Sequence, residues 1–379
     1  MSFDLENVGI GWMIVSGVFV ASFLMQMYFY LFFFRRLSIH RSSDAITSSG
    51  EPLTVIICAR DEAGNLEENL PVILEQDYRN FEVVVVNDSS EDNTEEVLNR
   101  LKERYSNLRS THIKKDLKFR TGKKLALTIG LKAANYEWVL LTDADCCPAS
   151  PHWISQMQKH FIPPYEVVLG YGGYKSGMGL LNKLVRYDTF FIAMQYISFA
   201  LAGLPYMGVG RNLAYKRSLF FANKGFASHL ALESGDDDLF INEVAKKGNT
   251  NIEISHQSHT LSSPPEGWTD WFNQKKRHLT TGFHYRSSTR WLLGLETGSR
   301  VLFYLLFVLL LINQVLIPYV ITFFIVRLII TFLILNAGMS RLSENNLLLF
   351  SPLFDIFVPL INIFCVVGNS ITQKRIKWR

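Results

Sequence analysis

Tyr136-Glu-Trp-Val-Leu-Leu-Thr-Asp-Ala-Asp145 is the stretch from which the fold can be read. Four consecutive apolar residues, Trp138 to Leu141, stop abruptly at two carboxylates separated by one alanine. A short apolar run bounded by polar residues reads as a strand buried on both faces, the habit of a parallel sheet. Such sheets place their ligand sites at the carboxyl ends of the strands. In an extended segment, residues i and i+2 share a face, so Asp143 and Asp145 point into one space. Two anionic groups held together favour a hard divalent cation between them, Mg²⁺ or Mn²⁺, which takes carboxylate and phosphate oxygens as ligands.

Working outward, the segment from residue 51 to about 285 has the texture of an α/β unit. Leu53 to Ala59 and Phe81 to Asn87 are β-branched runs that end in polar loops. Asn65 to Gln76, Glu95 to Tyr105 and Thr121 to Ala134 carry apolar residues at helical spacing. Strands alternating with helices predict a mostly parallel, twisted sheet covered by helices on both faces.

The flanks differ. The chain has 379 residues, 48 % of them hydrophobic, with 28 phenylalanines. Val8 to Phe34 carries no charge and is followed by Arg35, Arg36 and Arg41. That is long enough to span a bilayer, and acidic residues precede it where a signal peptide would be basic. Residues 1–36 are therefore expected to be a retained anchor with its carboxyl side in the cytoplasm. Val301 to Leu335, with Pro318 near its middle, predicts a membrane hairpin over residues 300–336. Arg327 inside it is expensive unless it snorkels or faces a polar cavity. Residues 347–369 contain Pro352, Asp355 and Pro359 and are expected to be re-entrant or interfacial, followed by a basic cytoplasmic tail at 370–379. The uncharged stretch Thr189 to Gly210 is expected to be a core or membrane-surface helix. A formal charge of +4 is too small to argue for nucleic acid, and the basic clusters flank apolar runs instead. Cys58, Cys146, Cys147 and Cys365 have no metal or disulfide spacing and read as small buried hydrophobes.

Further motifs follow in order: Ala59-Arg-Asp-Glu-Ala-Gly-Asn65, Asn87-Asp-Ser-Ser90, Gly122-Lys-Lys-Leu125, Asp143-Ala-Asp145, Gly210-Arg-Asn-Leu213, Gly235-Asp-Asp-Asp238 and Gln274-Lys-Lys-Arg-His278. Taken singly they are weak. Asp88 could cap a helix, and Lys123 could be a solvated charge. As an ordered series over residues 51 to 300 they resemble membrane-attached glycosyltransferase family 2. That group has the GT-A fold and includes cellulose, hyaluronan and poly-N-acetylglucosamine synthases and ceramide glucosyltransferase. The resemblance implies a catalytic domain over 51–290 that binds a nucleotide (uridine) diphosphate sugar through Ala59, Arg60, Glu62, Asp88, Lys123, Asp143 and Asn212. It implies a metal on Asp145 and Asp143, and a general base at Asp237 with Asp236 in reserve. Gln274, Arg277 and His278 would serve the diphosphate and the acceptor. They stand at i, i+3 and i+4 and share a helix face. The family has Trp where this chain has His278. Trp268 and Trp271 could replace its stacking surface or anchor the helix at the lipid headgroups. The acceptor is expected to be a lipid or a glycan on the cytoplasmic side of a bacterial inner membrane. The rival classes are a nucleotide-binding transporter and an inactive scaffold. Few spans and no internal repeat weigh against the first, and complete carboxylate motifs against the second.

Overall fold

The structure is a computed structural model that describes residues 9–42, 50–114, 122–232 and 234–372. The acidic residues ahead of the first helix and the basic tail from residue 373 onward lie outside the described residues.

A membrane-type helix opens the chain, as α1 (Ile10–Tyr28), a π-helical stretch (Phe29–Phe34) and α2 (Arg35–Ile39). The α/β unit follows: β1 (Leu53–Ala59), α3 (Ala63–Leu74), β2 (Phe81–Asp88), α4 (Thr94–Arg104), β3 (Leu108–Ile113), α5 (Lys123–Ala133), β4 (Trp138–Asp143), β5 (Cys146–Pro148), α6 (Trp153–Gln158), β6 (Val167–Leu169), β7 (Gly172–Tyr174), α7 (Leu180–Leu201), β8 (Leu213–Lys216), α8 (Arg217–Ala222), α9 (Asp238–Val244), β9 (Thr250–Ile252), β10 (Thr260–Ser262) and α10 (Trp268–Leu279). The main sheet has seven strands in the order β3-β2-β1-β4-β8-β6-β9. β1 to β4 run parallel, with Leu53 opposite Trp138 and Cys58 opposite Asp143, whereas β8 is antiparallel to β4 and β6. A three-stranded sheet, β5-β10-β7, lies beside the carboxyl end of β4.

Strand parity builds two apolar layers. Leu53, Val55 and Ile57 of β1 pack with Val83, Val85, Trp138 and Leu140 against α3, α4 and α6. Ile56, Val139 and Leu141 face the other way, toward α5 and α7. α5 lies close to the sheet because Gly130 is there: a Cβ at that position would stand 2.7 Å from Ile56 Cγ2. Burial on both faces is why the strands read as continuous apolar runs rather than alternating ones.

α7 is the core helix that the uncharged stretch suggested, with 14 of its 22 residues buried. After α10 come α11 (Ser287–Ile312), α12 (Ile317–Arg341) and α13 (Ser351–Thr372). α11 begins earlier than the expected hairpin, at Ser287. Four helical segments among the described residues are long and apolar enough to cross a membrane: Ile10–Ile39, Ser287–Ile312, Ile317–Arg341 and Leu348–Val366. The last is a single helix that runs through Pro359 without doubling back.

Arg327 neither snorkels nor faces a polar cavity. Its Nη2 donates to Asp355 Oδ2 at 2.8 Å and to Gln26 Oε1 at 3.0 Å, and its Nη1 to Tyr304 Oη at 2.7 Å. Arg300 donates to the other Asp355 oxygen at 3.2 Å and to Glu296 Oε2 at 2.9 Å. Each charge that looked costly alone is one member of a buried four-charge network tying α1, α11, α12 and α13 together.

Candidate active site

One cavity of about 460 Å³ opens at the carboxyl end of β4. It gathers nine of the residues singled out by sequence: Glu62, Lys123, Asp143, Asp145, Asp236, Asp237, Gln274, Arg277 and His278. Asp143 closes β4 and Asp145 follows one residue on. Ligand atoms of Asp143, Asp145 and Cys146 lie within 4.8 Å of one another. Burial and the neighbouring Asp143 push the Asp145 carboxyl above its usual range. Burial also raises the Cys146 thiol and keeps it protonated, so the two carboxylates are the hard donors of the group. Glu62 is raised as well, first by burial and, beyond its bond from Asn65, by Asp145 and Asp143. Crowded carboxylates in a low-dielectric cleft are a donor set that fits a divalent cation.

Lys123, in the first turn of α5, bridges the two acidic groups. Its Nζ stands 2.8 Å from Asp143 Oδ1 and 3.3 Å from Asp236 Oδ2. Burial pulls this ammonium down, but Asp143, Asp236 and Asp237 raise it further, so it is firmly charged.

The Gly235-Asp-Asp-Asp238 motif enters α9. Asp238 is buried and spent on structure: it accepts from Tyr285 Oη at 2.7 Å and from Thr281 Oγ1, which fixes the turn after α10. Asp236 is buried against Lys123. Asp237 alone is half-buried, faces the cavity and has no salt bridge among the described residues. Its oxygens accept backbone N–H groups from Gly210 and Asp238, each at 2.7 Å. Burial, then Asp236 and Asp238, push its carboxyl up to about 7. A carboxylate poised near neutrality beside open space has the properties of a general base.

α10 presents the Gln-Lys-Lys-Arg-His face. Lys275 bonds both oxygens of Asp188 on α7, at 2.5 and 2.6 Å, and pins the helix. Gln274 Nε2 donates to Tyr174 Oη at 2.9 Å. His278 opens into the cavity, where desolvation and the charges of Arg277, Arg211, Lys275 and Lys123 hold its imidazole below the usual range. It is neutral near pH 7. Trp271 is buried and lines the cavity, whereas Trp268 is 47 % exposed.

Four of the expected donor residues lie elsewhere. Asn212 does not line the cavity. Its amide donates to the carbonyls of Tyr171 (2.9 Å) and Ser258 (2.7 Å) and accepts from Trp153 Nε1 (3.0 Å), which saturates a fully buried side chain. Its neighbour Arg211, which the sequence reading passed over, lines the cavity instead. The two residues sit in the turn before β8, closed by Asn212 N donating to Val209 O at 2.9 Å, and the turn sends Asn212 into the core and Arg211 to the cavity. Ala59 is buried at the end of β1, and Arg60 is half-buried beside it. Asp88 is fully buried at the end of β2, and neither carboxylate oxygen has a hydrogen-bond partner among the described residues. The loop after β1 is locked to the loop after β2. Asp61 N donates to Ser90 Oγ (3.0 Å), Glu62 N to Thr94 Oγ1 (3.1 Å), Ala63 N to Asp92 Oδ2 (3.0 Å) and Glu91 N to Asp61 Oδ1 (2.7 Å). Asp61 holds the left-handed conformation that this interlock demands, with φ of 56°.

A mostly parallel sheet with a paired carboxylate at the end of a central strand and a second carboxylate across one cleft is the architecture of the GT-A fold. Residues 54–221 match the family model described as Glycosyl transferase family 2. Poly-beta-1,6-N-acetyl-D-glucosamine synthase of Staphylococcus aureus (strain MSSA476) is 29 % identical over 161 residues, 42 % of this chain and 38 % of that protein. The synthase of the same name from Staphylococcus epidermidis is 28 % identical over 139 residues, 35 % of this chain and 32 % of that one. The chain thus matches well under half the length of these relatives. Its fold is similar to that of the mannosyltransferase PcManGT from Pyrobaculum calidifontis, solved in complex with GDP-Man and Mn²⁺. The TM-score is 0.62 at 20 % identity, covering 95 % of this chain and 99 % of that one.

Proposed function

We propose that the protein moves one sugar from a nucleoside diphosphate sugar, with uridine as the base, to a hydroxyl of a lipid or glycan acceptor, inverting the anomeric centre. The observation that carries this is the single cavity that holds both Asp143-Ala-Asp145 and Asp237. Asp145 and Asp143 would hold a divalent ion, which when bound supplies Lewis-acid neutralisation of the leaving diphosphate. Arg277, whose guanidinium makes no hydrogen bond among the described residues, supplies a bidentate contact to the same phosphates. Asp237 accepts the proton of the attacking hydroxyl. The new C–O bond forms as the bond to the β-phosphate oxygen breaks, and nucleoside diphosphate leaves. His278 stands on the acceptor side. Incubation with a panel of nucleotide sugars and a membrane lipid extract, read by mass spectrometry, tests the proposal. Absence of any glycosylated product and of any released nucleotide would refute it.

The similarity to polysaccharide synthases favours a second version in which the acceptor is the growing glycan. Products longer than one added sugar would select it. Either way, Asp145→Asn is expected to abolish turnover and weaken metal-dependent donor binding about tenfold or more, since charge-assisted contacts are worth about 1.5–3 kcal/mol. Removing one of two crowded carboxylates should leave the ligand-free melting temperature unchanged or higher. Calorimetric titration with and without Mn²⁺ checks the first effect, and wild-type affinity in the variant would sink the metal assignment.

We infer a bacterial inner membrane with the catalytic domain on its cytoplasmic side. Arg341 Nε donates to Ser38 O at 3.2 Å, so the end of α12 lies beside the end of α2, and Arg35, Arg36 and Arg341 share one side. α13 starts near the end of α12, yet its Asn362 lines the catalytic cavity. Both observations favour an interfacial α13 under the catalytic domain, with three spans and a cytoplasmic carboxyl terminus. A cysteine added at that terminus is expected to resist labelling from outside intact cells, and efficient external labelling would overturn the topology.

A further inference from the structure

Four cations line the catalytic cavity among the described residues, and two are already engaged. Lys123 is held between Asp143 and Asp236, and Lys275 by both oxygens of Asp188. Arg277 was expected from its motif. Arg211 has no assigned task, although its charge reaches Asp143 and Asp145 together.

The seat of Arg211 is built. Its guanidinium lies over the ring of Tyr174, 4.5 Å from the centroid. Nη1 reaches Gly173 O at 3.3 Å and Ser262 Oγ at 3.5 Å, both long contacts. Nε and Nη2, the edge suited to fork-like bonding, donate to nothing within the described protein. Gly172 leaves the room, since a Cβ there would stand 2.9 Å from Arg211 Cβ and 3.5 Å from its Nε. Tyr174 is itself held by Gln274 Nε2 at 2.9 Å. A planar cation on an aromatic face, with its open edge beside a metal-binding carboxylate pair, matches the two oxygens of a terminal phosphate.

We propose that Arg211 binds the β-phosphate of the nucleoside diphosphate through its Nε–Nη2 edge, and that Gln274 is a positioning residue that fixes this edge through Tyr174. The proposal rests on the nucleotide-sugar reading above. Of the two tasks the motif suggested, diphosphate and acceptor, it gives Gln274 the first, exerted through Tyr174 and Arg211.

The experiment uses the full chain in detergent with Mn²⁺ and measures binding of UDP and UMP by calorimetry, with GDP and GMP run alongside. Arg211→Met is expected to weaken diphosphate binding about tenfold or more, the worth of one charge-assisted contact, and to leave the monophosphate within about twofold. Arg211→Lys keeps the charge but not the fork and should fall between. Gln274→Leu should lower diphosphate affinity by a smaller factor, and combined with Arg211→Met should add nothing, because both act through one contact. A purely structural Gln274 would instead change mono- and diphosphate binding alike. Wild-type UDP affinity in Arg211→Met, or equal losses of UDP and UMP, overturns the proposal while the nucleotide-sugar reading stands. A wild-type protein that binds neither diphosphate overturns both.

Discussion

Asp237→Asn is expected to lower kcat by about 10²–10⁴-fold, the usual worth of a general base, while UDP affinity stays near that of the wild type. The asparagine keeps the shape and can still accept the Gly210 and Asp238 N–H groups, but it cannot take a proton. In the wild type, kcat/KM should rise with pH through about 7, where the Asp237 carboxyl ionises in the free enzyme, and this limb should vanish in the variant's residual activity. Stability follows the opposite sign. A carboxyl whose folded value is raised contributes stability that is present below its unfolded value of about 4 and is lost as pH rises through 7. The variant lacks that loss, so above pH 7 its melting temperature should equal or exceed that of the wild type. A variant that turns over normally, or an inactive Asp236→Asn beside an active Asp237→Asn, would reverse the two roles.

The second large effect concerns stability. Asp355→Ala leaves Arg300 and Arg327 buried without the carboxylate that accepts from both and from Tyr304 (2.6 Å). Breaking a buried pair from one side costs about 3–5 kcal/mol, more than most single substitutions. Replacing Asp355, Arg300, Arg327 and Glu296 together by leucine and methionine of similar volume should cost far less, because no orphan charge remains. Thermal unfolding of both proteins in one detergent checks this. A single variant as stable as the wild type would show that the network carries no stability.

The fold was legible because β1, β2 and β4 are buried on both sides, so their residues form continuous apolar runs that end at polar turns, whereas β3, a half-exposed edge strand of sequence Leu-Arg-Ser-Thr-His-Ile, gave no such run. The carboxylate pair was legible for the same reason: it closes such a run. Asp238 could not be told from Asp237 by sequence, since only the approach of Thr281 and Tyr285, more than 40 positions on, commits it to structure. Arg211 was missed in favour of Asn212 because both lie in the turn closed by Asn212 N and Val209 O just before β8, where no periodicity tells which side chain faces the cavity. Arg327 and Asp355 were visible as anomalies in apolar stretches, whereas Arg300 and Glu296 were not. The pairing of these charges was not legible, because Arg300, Arg327 and Asp355 come from three helices whose facing sides no local pattern specifies.

The interlock between the loops after β1 and β2 has a kinetic meaning. Four backbone donors are already bound to side chains across the two loops, so the wall that would receive a nucleotide has little freedom left to lose. Ordering that wall was accomplished when the chain folded rather than when a ligand arrives. Association there need not wait for a rare open or closed form. A nucleotide docking there is expected to associate in one fast phase with no slow ordering step, which stopped-flow binding would read.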